Sequence, residues 1–219
     1  MYKFDFFVYM WYILLMYNKN ELDKKIHDLY VFGRKEKYPI ILDDSKDELL
    51  KVLIANNYCK VLEIGTCIGY SSSVMVCNKP DIFITTIEKD KNVALIAKNN
   101  FIDFGIADKI SLIVDDAINV LPKIKDKFDF IFLDGPKAQY KTYLPYLIDL
   151  LNVGGCIFAD NVYFKGFVLQ DEKEFIPRGI RSIVKNLRLF LQLVKQDDRL
   201  KVDVKDVGDG ICIIKKLRD

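Results

Sequence analysis

What most constrains this chain is a rhythm that runs from residue 60 to residue 161. Short runs of nearly continuous Ile, Leu, Val and Phe alternate with longer, helix-like stretches. The runs are KVLEIG (60–65), DIFITTIE (81–88), KISLIV (109–114), KFDFIFLDG (127–135) and GCIFADN (155–161). Strands that are apolar on both faces belong in a parallel sheet covered by helices on each side. The intervening stretches are GYSSSVMVC (69–77), KNVALIAKNNFIDFG (91–105), DAINVLPKI (116–124) and AQYKTYLPYLIDLLNVGG (138–155). Gly105 and Gly154 stand where the second and fourth of these helices should end, and Pro145 where the fourth could kink.

Upstream, residues 21–34 and 43–57 read as two more helices, the second opened by Asp43 or Asp44 as cap with acids in its first turn. Downstream, 162–175 reads as a loop and 177–195 as a helix with Pro177 at its start. Residues 200–217 read as two strands around GDG, a hairpin signal. A hairpin turns the last strand antiparallel to its neighbour. The expected fold is α/β: a doubly wound, mostly parallel seven-stranded sheet with an antiparallel C-terminal strand. No repeat, low-complexity segment or linker divides the chain, and 219 residues suit one domain.

The N-terminus departs from this pattern. FFVYMWYILLMY (6–17) is an unbroken apolar and aromatic run. It is shorter than a bilayer-spanning helix needs, and no small-residue cleavage site follows it. A packing or dimer-forming helix, or sequence translated upstream of the true start, is the expectation, and a membrane anchor is the alternative. Residues 1–19 are therefore set apart as an extension from a single domain over 20–219. A homodimer without stable membrane association is expected.

The net charge of +2, from 33 basic and 31 acidic residues, neither requires nor forbids a nucleic-acid partner. The cysteines, Cys59, Cys67, Cys77, Cys156 and Cys212, are odd in number and form no C-x-x-C pair. That argues against a disulfide framework or zinc site and for a reducing cytoplasm. The single histidine, His27, argues against a Ser-His-Asp triad.

In an open α/β sheet, ligands bind beyond the carboxyl ends of the strands. Glu63, Gly65 and Gly69 fall at the end of the first strand in VLEIGTCIGYSSS, a G-x-x-x-G turn and not a dinucleotide fingerprint. Gly65 admits a close ligand. Ser71 opens the next helix, either as an ordinary cap or as part of a carboxylate site. Glu88 ends the second strand, either as a solvated acid or as the acceptor of two ribose hydroxyls. Asp116 and Ala117 end the third, within reach of a nucleobase. On the fourth and fifth strand ends, Asp134, Asp160 and Asn161 share one rim. Their oxygens form a hard donor set suited to Mg²⁺, unless Asp134 merely ends a strand and Asp-Asn is a turn. Lys137 follows Asp134 by three residues. Beside a dication its pKa would fall toward that of a useful base, unless it is a surface lysine. Tyr140 either packs or lines the pocket.

Taken together, VLEIGTCIGYSSS, TIEKD, DDA, FLDGPKAQYKTY and LLNVGGCIFADNVYFKG resemble the cation-dependent, S-adenosylmethionine-dependent O-methyltransferases, the class I, Rossmann-like group that includes catechol and caffeoyl-CoA enzymes. PKAQYKTY, DNVYFKGFV, IPRGIRSIVKNL and VGDG look most like the bacterial enzymes that methylate 5-hydroxyuridine at the tRNA wobble position. The resemblance implies that Ile41, Glu63, Gly65, Ser71, Glu88, Asp116, Ala117 and Asp134 hold S-adenosylmethionine. It implies that Asp134, Asp160 and Asn161 hold Mg²⁺ or a similar cation, and that Lys137 is the general base. Where relatives usually have glycine this chain has Cys67, tolerable if its φ is negative. A substrate with two adjacent oxygens suits such a metal, and both catechol and 5-hydroxyuridine qualify. Lys165, Lys173, Arg178, Arg181, Lys185 and Arg188 offer a basic surface for tRNA, with Phe164 and Phe167 to stack on a base, unless they form a solvated helix face and a packed loop. The expected function is methylation of tRNA 5-hydroxyuridine, with a small-molecule catechol or caffeoyl-CoA-type reaction as the alternative and a non-catalytic S-adenosylmethionine-binding protein third.

Overall fold

The computed structural model describes residues 6–171 and 174–219, with side chains from Lys19 onward. Helices α1 (Phe6–Lys35) and α2 (Asp43–Ala55) precede β1 (Lys60–Ile64), α3 (Tyr70–Asn78), β2 (Phe83–Glu88), α4 (Lys91–Asp103) and β3 (Ile110–Val114). Then come α5 (Ala117–Val120), β4 (Phe128–Leu133), α6 (Tyr140–Leu150) and β5 (Leu151–Ala159). The chain ends with α7 (Arg181–Gln196), β6 (Leu200–Lys205) and β7 (Ile211–Lys216).

The seven strands form one sheet in the order β3-β2-β1-β4-β5-β7-β6. The pairs among β1 to β5 are parallel, while β7 is antiparallel to both β5 and β6. Only β7 therefore runs against the rest, as the hairpin signal predicts. Each central strand feeds two cores. On one face, Leu62, Ile64, Ile131 and Leu133 pack with Tyr143 and Leu147 of α6 and Leu187 and Phe190 of α7. On the other, Val61, Phe130, Phe132 and Phe158 pack with residues of α1 to α4. Alternation within a strand that is apolar at every position makes three layers, helices over sheet over helices.

Three local expectations need correction. Helix α6 stops at Leu150, and the chain enters β5 at once, so Gly154 lies inside a strand and caps no helix. Its φ of +84° sits beside a shift in β4–β5 register between Phe128 and Phe130, and its carbonyl accepts a 2.9 Å bond from the Tyr58 hydroxyl. Glycine here makes a bulge. Leu42 precedes α2 without a side-chain cap, while Asp43 begins the helix, paired with Lys46 at 2.8 Å. Pro177 precedes a short 3₁₀ turn, Arg178–Ile180, and α7 starts only at Arg181.

Helix α1 runs unbroken through the apolar stretch 6–17 and the predicted helix 21–34. What the apolar side chains of 6–17 pack against lies outside the described residues. Among the described residues, no helix is long and apolar enough to cross a membrane.

Candidate active site

The strand order reverses between β1 and β4, and a cavity of about 870 Å³ opens beyond their carboxyl ends. Gly65, Cys67, Glu88, Asp134, Lys137 and Asn161 all face it. Gly65 has a φ of +102°, and a Cβ there would lie 2.8 Å from the Asp134 carbonyl oxygen, so no other residue fits between β1 and β4. A smaller pocket of about 80 Å³ adjoins the first through Gly65, Glu88 and Pro136, and is closed by Asp116, Ala117 and Tyr143. Four of the proposed cofactor residues, Gly65, Glu88, Asp116 and Ala117, thus line one continuous trough, and Asp134 sits on its far wall.

Glu88 stands where the two pockets meet. Its Oε2 accepts the Cys67 N–H at 3.0 Å and its Oε1 accepts the Asp90 N–H at 2.9 Å. These bonds orient the carboxylate and leave further lone pairs for a ligand. Cys67 adopts φ +52°, the left-handed conformation, contrary to the negative value that would suit it. A side chain there costs about 1 kcal/mol or more. Burial pushes the Cys67 thiol up to about 12, so it remains a thiol.

The other three proposed cofactor residues do not reach the trough. Glu63 is fully buried beneath it. Its oxygens accept hydroxyl bonds from Ser71 at 2.5 Å, from Thr86 at 2.5 Å, and from Ser72. Ser71 is therefore turned inward, tying α3 to β1, and Gly69 caps the helix in its place. Ile41 is 2% exposed and packs in the core, whereas its neighbours Ile40 and Leu42 line the cavity. Successive residues of an extended segment point to opposite sides.

Asp134, Lys137 and Asn161 meet on the rim where a cation is expected. The Lys137 Nζ donates to Asp134 Oδ1 at 2.5 Å. Burial alone would lower its pKa, but the charge of Asp134, helped by Tyr140 and Asp160, outweighs burial and raises it. The ammonium's nearest neighbour is a carboxylate, which holds its proton; the lowering expected from the sequence applies beside a dication. Asp160 is 1% exposed and pushed up to about 6, first by burial and then by the Asp134 charge. Two carboxylates close enough to oppose each other's ionisation, with the Asn161 amide beside them, fit a hard divalent cation. Among the described residues, no group of three His, Cys, Asp or Glu side chains gathers as a metal site, so a cation here would take the amide as its third protein donor. Asn161 tolerates the left-handed φ of +55° that its place demands. Tyr140 packs and does not line the cavity: fully buried, its hydroxyl bridges the carbonyls of Leu133 and Asp160 at 2.8 and 3.1 Å.

Sequence reasoning missed Tyr143, which closes the small pocket, and Asp209, which fixes the cavity mouth. Both Asp209 carboxylate oxygens accept the Lys165 N–H at 2.7 Å. The GDG turn signalled a hairpin but not this bond. The basic surface is smaller than expected. Arg188 donates to the carbonyls of Phe167, Val168 and Gln170 and holds the loop after β5. Phe167 packs against the core, Phe164 faces the cavity, and Lys173 lies outside the described residues. Lys165, Arg178, Arg181 and Lys185 remain exposed.

Comparison with known proteins agrees with this architecture. A family model described as O-methyltransferase matches residues 20–217. A caffeoyl-CoA O-methyltransferase of Populus kitakamiensis is 30% identical over 175 residues, covering 77% of this chain and 73% of that protein. A candidate caffeoyl-CoA O-methyltransferase structure from Staphylococcus aureus superposes with a TM-score of 0.82 at 28% identity, covering 92% of this chain and 99% of the other. The O-methyltransferase of Bacillus cereus, solved with S-adenosylhomocysteine (SAH), has a TM-score of 0.76 at 21% identity, over 88% of this chain and 91% of that one. Fold, strand-end trough and sequence agree, and the chain belongs to the O-methyltransferase family.

Proposed function

We propose that this protein transfers a methyl group from S-adenosylmethionine to one hydroxyl of a small aromatic vicinal diol, with a divalent cation. The observation that carries the reading is the convergence of Gly65, Glu88, Asp134, Lys137 and Asn161 on one cavity. In this reading the Glu88 carboxylate accepts the ribose hydroxyls, while Asp116, Ala117 and Tyr143 enclose the base. The backbone at Gly65 and Cys67 lies along the methionine end. Asp134, Asp160 and Asn161 would hold Mg²⁺ or a similar ion. Bound there, such an ion acidifies a coordinated hydroxyl and fixes two adjacent oxygens. Lys137 is the residue proposed to take the hydroxyl proton at Nζ; it must first give up its own proton, which its burial favours once a cation rather than Nζ would offset the Asp134 charge. The protein's further task is alignment of the attacking oxygen behind the methyl group.

Substrate class follows the walls. Tyr38, Ile40, Phe164 and Ile183 give the cavity an apolar lining suited to an arene. The relative from Populus kitakamiensis carries a caffeoyl-CoA name, and the Bacillus cereus neighbour binds SAH. The second reading, methylation of tRNA 5-hydroxyuridine, rests on exposed Lys165, Arg178, Arg181 and Lys185, but it loses Arg188 to the loop carbonyls. The deciding assay offers catechol, caffeoyl-CoA and 5-hydroxyuridine tRNA with Mg²⁺. Transfer to the small diols is expected, and transfer to tRNA alone would overturn the substrate class. Activity that survives a chelator, or Asp160→Ala, would overturn the cation.

A further inference from the structure

Ser45 stands outside every expectation drawn from the sequence, yet it touches the metal rim. It lies in the first turns of α2 and is 1% exposed. Its hydroxyl donates to Asp160 Oδ1 at 3.0 Å, across 115 residues of sequence. The Asn161 N–H donates to the same oxygen at 2.9 Å. Both hydrogen bonds to this carboxylate therefore end on Oδ1. Oδ2 accepts none from a described residue.

That asymmetry has a chemical consequence. A buried carboxylate with one oxygen tied by two donors cannot turn freely, and its other oxygen is presented in a fixed direction. Partners of this kind orient metal-ligating side chains and tune their affinity. We infer that Ser45 is a positioning residue for the cation: it holds Asp160 Oδ1 so that Oδ2 is the ligating oxygen. This inference rests on the cation reading of Asp134, Asp160 and Asn161.

Ser45 is itself held. A Cβ on Gly208, in the turn between β6 and β7, would come within 2.7 Å of its hydroxyl oxygen, so that turn closes over it. One helical turn further, Glu48 pairs with Lys205 of β6 and with Lys51 at 3.1 Å. Helix α2 is thereby fixed to the hairpin, and its entry segment supplies Tyr38, Ile40 and Leu42 to the cavity wall. The hydroxyl thus joins the metal rim to the wall that a substrate would meet.

The test is calorimetric titration of Mn²⁺ into the wild type, Ser45→Ala and Asp160→Ala, with SAH titrated separately. Ser45→Ala should weaken Mn²⁺ about tenfold or more, the usual cost of removing such a partner. Its melting curve and SAH affinity should stay near those of the wild type, which a general structural defect would not allow. If Ser45→Ala fails to fold, Ser45→Cys replaces it, and its weaker donor should give an intermediate Mn²⁺ affinity. Wild-type Mn²⁺ affinity in the folded variant would overturn the role of Ser45. A wild type that binds no Mn²⁺ would overturn the cation reading itself, and Asp160→Ala tells the two failures apart.

Discussion

Glu63 and Glu88 look alike in sequence, since each is an acid near the end of an apolar strand. The structure gives them opposite fates. Glu88 faces the trough, while Glu63 lies under it among three hydroxyl donors. Burial pushes Glu63 up to about 7, and the hydroxyls only partly offset this. Stability should follow. Below pH about 4.5 both folded and unfolded states hold the proton. Between about 4.5 and 7 the unfolded chain releases it and the folded chain retains it, so stability falls as pH rises. Above that window the loss is constant, on the order of 3 kcal/mol. Glu63→Gln keeps the shape and removes the titration. Urea midpoints at pH 5 and pH 8 should therefore lie closer together in the variant than in the wild type. Equal spacing in both would rule out the buried proton.

At the scale of elements, the chain shows how far local pattern reaches. The five parallel strands are legible because each is apolar on both faces, and GDG marks the hairpin because a tight turn needs such residues. The end of α6 is not legible. Gly154 looks like a helix stop, but Phe128 pairs with Leu151 and draws the chain into the sheet three residues earlier. At the cavity, Glu88, Asp134 and Asn161 line the wall as their place at strand ends suggests. Ile41 and Ser71 turn into the core instead, because one residue of offset decides which way an extended segment or a first helical turn points. Arg188 makes the same point. As a member of a spaced basic series it suggested phosphate contacts, whereas its guanidinium pins three carbonyls of the loop between β5 and α7. Arg188→Ala should cost about 2 kcal/mol in urea unfolding, the scale of charged hydrogen bonds to a partly buried loop. Arg188→Lys should recover little, since an ammonium cannot reproduce the planar fork. Full recovery by lysine would mean that charge alone matters there.

At the scale of the molecule, the cavity belongs to no single element. Its walls come from the segment before α2, the ends of β1, β2 and β4, the loop after β5, helix α7 and the β6–β7 turn. Such a site exists only when the whole sheet is assembled, so a nucleoside that fits it binds the folded state and not the unfolded chain. SAH at about 100 times its Kd should then stabilise the protein by about 2.7 kcal/mol. For a chain of this length that is a rise of roughly 5–10 °C in Tm. NAD should give no rise, because the G-x-x-x-G turn lacks the glycines that admit a pyrophosphate. Glu88→Ala should abolish the SAH shift while changing the unliganded Tm far less, since Glu88 is only partly buried and, among the described residues, accepts just two N–H bonds, from Asp90 beside it and from Cys67 in the turn after β1. A shift with NAD equal to that with SAH would assign the trough to dinucleotides. A shift that survives Glu88→Ala would move the ribose elsewhere in the cavity.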